Sequence, residues 1–167
     1  LIKSVSGGNG KIFTKYAYDA LGRQTHTHVG YDTDETAYPD PNHATDPLLL
    51  DGDTIIQETI TTYNEVGQVL LSTAYARTPG ATGTDQLSSL GAANWRRTYG
   101  AAWYDGAGRQ IVSAAYGTNG GSSMTHSTTV ASRSDTVLVT SMDYDDLGRA
   151  HQVTDPAARV TRRFYDD

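Results

Sequence analysis

The chain has 167 residues, of which 37% are hydrophobic, and 13 basic against 19 acidic residues leave a net charge of −6. No Lys/Arg stripe is present to follow a phosphate backbone, which excludes nucleic acid as a partner. Cysteine is absent, which excludes disulfides and thiolate metal sites, and no apolar run approaches the roughly 18 residues of a membrane-spanning helix. Tyr supplies 11 of the 15 aromatic residues, Gly reaches 17, and Glu and Lys number three each. That balance predicts strands and turns in place of helices.

The first clear element is Lys11–Tyr18, whose alternation places Ile12, Thr14, Tyr16 and Tyr18 on one face and Lys11 and Lys15 on the other. A tight turn over Asp19–Gly22 follows. On the next predicted strand His26 and His28 are two apart and share a face, a spacing open to a transition metal. No third ligand is indicated, so surface histidines are expected. Residues 30–53 form a first insertion with seven carboxylates and neither Lys nor Arg. It reads as a solvated loop stiffened by Pro39, Pro41 and Pro47. Asp32, Asp34, Glu35, Asp51 and Asp53 are its calcium candidates, as hard oxygen ligands without the spacing of an EF-hand.

Thr54–Tyr63 and Gln68–Tyr75 read as a hairpin around Gly67. Strict alternation puts Ile55 and Tyr63 with Gln57, Thr59 and Thr61, and Ile56 and Ile60 with Glu58 and Thr62. Both faces are then polar, which predicts a sheet wetted on both sides, not a sandwich. A second insertion spans 77–94 and a third 117–135, where Gly120-Gly121-Ser122-Ser123 reads as linker. Thr136–Tyr144 places Leu138, Met142 and Tyr144 on one face. All three insertions lie between one Asp-x-x-Gly turn and the next, so they are expected together on the sheet edge opposite the turns.

The turns spell one motif repeatedly. Tyr18-Asp19-Ala-Leu-Gly22-Arg23, Tyr63-Asn64-Glu-Val-Gly67-Gln68, Tyr104-Asp105-Gly-Ala-Gly108-Arg109 and Tyr144-Asp145-Asp-Leu-Gly148-Arg149 are spaced by 45, 41 and 40 residues, and Tyr165-Asp166-Asp167 begins a further copy 21 residues on. The basic period is therefore about 21, as expected of a repeat architecture. Asp or Asn at the first position of a type I turn accepts backbone N–H groups, and Gly at the fourth tolerates positive φ. Each unit thus closes a β-hairpin. The half-turn Asp155-Pro-Ala-Ala158-Arg159 lacks the Gly, so Ala158 is expected in a different turn, outside the left-handed region.

Tyr-Asp-x-x-Gly-Arg at this spacing resembles the YD repeat of the RHS family, which includes bacterial Rhs proteins, the shell-forming components of Tc toxins and the teneurins. The likeness covers Gly7–Arg23, Asp53–Tyr75, Trp95–Tyr116 and Thr136–Asp167. It implies an all-β chain of repeated hairpins forming a solenoid or hollow-shell-like sheet, with residues 1–167 one continuous segment of a longer protein. It implies a structural role, scaffold or encapsulating shell, in a large bacterial protein that is secreted or displayed at the cell surface. The partners it implies are neighbouring repeats and an enclosed C-terminal effector. The family's self-cleaving aspartate region is not matched, and Asp155-Pro156 sits inside an ordinary repeat.

Two other roles fit the composition: an adhesion module recognising glycans through its tyrosines and acidic loops, and a self-associating extracellular fibre. An enzyme is not expected. The repeated Tyr, Asp, Gly and Arg are accounted for by hairpin geometry, and the other residues converge on no acid–base or nucleophile set. No organic cofactor is expected, calcium at the acidic loop being the one exception. Arg23, Arg109 and Arg149 are expected to pair across their own turns or stack on Tyr.

Overall fold

A computed structural model describes residues 2–6, 11–32, 50 and 52–166, with side chains at 12–31, 50 and 52–166. Among them are ten strands and no α-helix. The strands are β1 (Ile2–Ser6), β2 (Lys11–Tyr18), β3 (Gln24–Asp32), β4 (Thr54–Tyr63), β5 (Val69–Arg77), β6 (Trp95–Tyr104), β7 (Gln110–Gly117), β8 (Leu138–Tyr144), β9 (Ala150–Thr154) and β10 (Val160–Arg162). Single 3₁₀ turns occupy Leu87–Ser89, Ala92–Asn94 and Asn119–Gly121. Hydrogen-bonded neighbours follow chain order. The all-β antiparallel architecture expected of Tyr-, Thr- and Gly-rich hairpins is therefore present.

Contacts divide the chain into two compact units, Leu1–Thr62 with Thr73–Arg97, and Tyr63–Ser72 with Thr98–Asp167. In the first unit, β1, β2, β3 and β4 form an antiparallel ladder. Its core gathers Phe13, Leu50, Ile55, Tyr75 and Leu87, with Ile60, Leu90 and Trp95 packed around them. Leu87 and Leu90 belong to the second insertion. In the second unit β6 to β10 form the ladder. Leu71, Tyr99, Ala101, Trp103, Val112, Ala114 and Val139 are its core, with Met124, Ala131 and Val137 packed against them. Met124 and Ala131 belong to the third insertion.

The second and third insertions leave from the strand ends opposite the Asp-x-x-Gly turns, as expected, but do not stay at the edge. Each folds over a sheet face of its own unit and supplies the apolar cover that the short strands lack. Trp103 makes the point: its indole N–H donates to the Ser127 carbonyl at 2.8 Å, and its ring lies against His126 at a centroid distance of 5.0 Å. Most of the first insertion lies outside the described residues.

The expectation of a sheet wetted on both faces fails for one reason, the β-bulge. In β4, Ile55 opposes Gly30 and Gln57 opposes Val29, so Ile56 is an extra residue without a partner. One inserted residue reverses the phase of everything after it. Ile55 and Glu58 consequently fall on the same face, both fully buried, while Ile56 is exposed. In β2 and β8 the expected groupings hold, and burial shows which group faces the core. Phe13 and Lys15 point into the core and Ile12 outward; Val139 is buried and Leu138 exposed.

Gly30 permits this packing. A Cβ there would lie 2.7 Å from the Thr54 carbonyl oxygen and 2.8 Å from Phe13 Cζ. The Phe13 ring covers the place where a side chain would stand.

Candidate functional site

The repeated turn is built the same way at each copy. The first Asp N–H donates to the Arg carbonyl four residues on, at Asp19, Asp105, Asp145 and Asp155, and Asn64 does so to Gln68. The Asp carboxylate accepts the Arg backbone N–H through Oδ1 and the Arg Nε–H through Oδ2, the latter at 2.6–2.8 Å. Gly22, Gly67, Gly108 and Gly148 all take positive φ, from 77° to 89°. In the Asn64 copy the ion pair becomes an amide pair, Asn64 Nδ2 donating to Gln68 Oε1 at 2.6 Å. Asn/Gln is thus a geometric substitute for Asp/Arg, not a lost site.

Ala158 corrects the sequence reading. It does not adopt another turn: its φ is +63° and its N–H donates to the Asp155 carbonyl, as the glycines do at the other copies. An L-residue with a Cβ is strained in that region. Ala158→Gly is expected to stabilise the chain by about 1 kcal/mol. Urea unfolding checks this, and an unchanged or lower midpoint would count against it.

The turn aspartates titrate below the usual carboxylate range. For Asp19, Asp105 and Asp155 the largest cause is the backbone N–H of the Arg; for Asp145 it is the Arg149 guanidinium. A depressed folded-state value means that the stabilisation is complete above the unfolded value of about 3.9 and is lost as pH falls through the folded values. The melting temperature is therefore expected to hold from neutral pH to about pH 5 and to fall below about pH 4. The variant Asp145→Asn with Arg149→Gln should fall less steeply.

The motif's Tyr reaches the preceding repeat and its Arg the following one. Tyr104 Oη donates to the Val69 carbonyl at 3.0 Å, Tyr144 Oη to Gln110 at 2.8 Å and Tyr165 Oη to Ala150 at 2.8 Å. Each acceptor stands directly after the Gln or Arg that closes the earlier turn. The Arg109 guanidinium lies 4.5 Å over the Tyr144 ring, and Arg149 4.5 Å over Tyr165. At the Asn/Gln copy, Gln68 Nε2 instead donates to the Gly108 carbonyl at 2.7 Å. A bulge accompanies the motif in β3, β7 and β9: Thr25, Ile111 and His151 are each left unpaired in register two residues after the Arg.

The first unit also buries a polar row that the sequence reading missed. Lys15, His28 and Glu58 stand opposite one another across β2, β3 and β4. Lys15 is 1% exposed, and His28, Glu58 and Asp53 are fully buried. Lys15 Nζ lies 2.6 Å from Asp53 Oδ2 and 4.3 Å from the centre of the Phe13 ring. Glu58 accepts from Gln86 Nε2, the Ser88 N–H and Ser88 Oγ. His26 stacks on His28 at a centroid distance of 5.7 Å. His28 is therefore not a surface histidine. The only sequence hint of this row was a Lys, a His and a Glu at positions that a correct register would place in line.

Among the described residues, no three His, Asp or Glu side chains gather as a metal site. Of the calcium candidates, Asp34, Glu35, Asp51 and the side chain of Asp32 lie outside the described residues. Asp53 faces Lys15, which makes it a counter-ion. The second unit has a shallow concavity of about 520 Å³ lined by small residues, among them Ser72, Gly100, Ala102, Ser113 and Ala115. No titratable group but Tyr104 lines it, and the Tyr104 hydroxyl is bonded to Val69. No protein-family model and no curated protein matches the chain.

Proposed function

We propose that the chain is a structural wall segment, a run of YD-type hairpins serving as scaffold or shell in a larger secreted or cell-surface protein of the RHS kind. The observation that carries this reading is the fate of the repeated side chains. Asp holds its own turn, Arg holds Asp and covers the next Tyr, and Tyr bonds the backbone of the repeat before it. Residues repeated for ligand recognition would present their polar atoms outward. Here the Tyr104, Tyr144 and Tyr165 hydroxyls donate to main-chain carbonyls of the hairpin before, which is cohesion between neighbouring repeats.

The variant Tyr104→Phe with Tyr144→Phe separates this reading from glycan adhesion. The wall reading expects a loss of about 0.5–1.5 kcal/mol for each hydroxyl removed, and no signal on a glycan array for either protein. Glycan binding by the parent that disappears in the variant without loss of stability would establish the adhesion module instead. Electron microscopy of the full-length parent protein distinguishes a closed shell from a fibre.

A further inference from the structure

We propose that Lys15 and Asp53 join through an intramolecular isopeptide bond, formed by the folded chain without an enzyme. The amine and carboxyl groups lie 2.6 Å apart, with 1% and 0% of their side chains exposed. Reacting groups held this close need only reach the about 3–3.5 Å separation of a near-attack arrangement between Nζ and Cγ. The site is also pre-organised. The Phe13 ring walls the amine. The Asp53 backbone is clamped by its own N–H to the Leu50 carbonyl and by the Asp85 N–H to its carbonyl, and Asp85 Oδ1 accepts the Gly52 N–H at 2.8 Å.

Burial supplies the driving force. Two charges removed from water are costly even when paired, and a neutral amide removes both. The Lys15 ammonium passes one proton to the Asp53 carboxylate, which leaves a neutral amine and a neutral acid, the form in which a desolvated lysine is nucleophilic. The nitrogen lone pair attacks Cγ to form the Cγ–Nζ bond. A second proton leaves nitrogen for the hydroxyl oxygen, the Cγ–O bond breaks and water departs. Ammonium plus carboxylate becomes amide plus water, with no change in oxidation state and no external reagent. The direct contact between Lys15 Nζ and Asp53 Oδ2 carries both proton transfers.

The link would tie β2 to the start of β4 across 38 residues of chain. Mass spectrometry of the purified full-length chain, denatured after overnight incubation, tests it. The expected mass is one water below that of the sequence. Trypsin should then fail at Lys15 and yield a branched peptide joining residues 12–23 to 24–77, a stretch without an internal Lys or Arg beyond Lys15 and Arg23. Lys15→Arg should restore the full mass. A full mass in the parent overturns the proposal. So does a one-water loss with cleavage at Lys15, since a succinimide at Asp51-Gly52 or Asp105-Gly106 gives the same mass without a branch.

Discussion

Asp53→Ala is expected to cost the chain about 3–5 kcal/mol of stability. The substitution leaves Lys15 where it is, 1% exposed and against the Phe13 ring, and removes the carboxylate 2.6 Å from its ammonium. Breaking a buried pair by removing one partner is far more harmful than never having had the pair, because the remaining charge must either be desolvated alone or pull its strand outward to reach water. The lysine stem is on β2, in the middle of the first ladder, so an outward movement would also open the packing of Phe13 on Ile55. Urea unfolding of the parent and the variant measures the difference. A variant within about 1 kcal/mol of the parent would mean that Lys15 reaches solvent easily and that the buried row is not rigid.

Trp103→Ala should be about as damaging, at about 3–5 kcal/mol. Trp103 is 5% exposed and sits in the second core with Leu71, Val112 and Val139. Two different losses add together. The ring's removal leaves a cavity at the centre of a small core, and the Ser127 carbonyl loses its indole donor. The third insertion then keeps His126 Nε2 at the Ala102 carbonyl and Tyr99 Oη at the Ser122 carbonyl. Trp103→Phe, which fills most of the space but cannot donate, should cost roughly 1–2 kcal/mol. Hydrogen exchange resolves the two contributions. The alanine variant should lose protection in β6 and β7, and the phenylalanine variant chiefly in residues 118–131. Equal effects from both variants would show that volume is irrelevant at this position.

The turns were legible in the sequence because their geometry is local. An Asp, a Gly three residues on and an Arg after it contain every donor, acceptor and dihedral the turn needs, and the structure uses each as expected at Asp19, Asp105 and Asp145. Ala158 escaped because a sequence rule that reserves positive φ for Gly ignores how strongly Asp155 and Arg159 hold the same loop. Strand faces were less legible. The bulge at Ile56 carries no residue signature, yet it decides whether Glu58 is inside or outside. Thr25, Ile111 and His151 shift the phase again beside the turns. The buried row was invisible for a related reason: Lys15 meets Asp53 38 residues away, and Glu58 meets Ser88 30 residues away. Nothing near Lys15 in the chain distinguishes it from a solvated lysine.

The hydrogen bonds from Tyr104, Tyr144 and Tyr165 all run in one sense, from a later hairpin to an earlier one. An arrangement of that kind gives synthesis a direction. A hairpin leaving the ribosome carries a hydroxyl donor whose acceptor carbonyl has already been ordered by the hairpin before it, so each addition is templated by finished structure. Growth from the other end would begin with tyrosines lacking acceptors. A chain of such units is expected to zip from its N-terminal side, each step closing only the short loop to its immediate predecessor and so avoiding the entropy of a long closure.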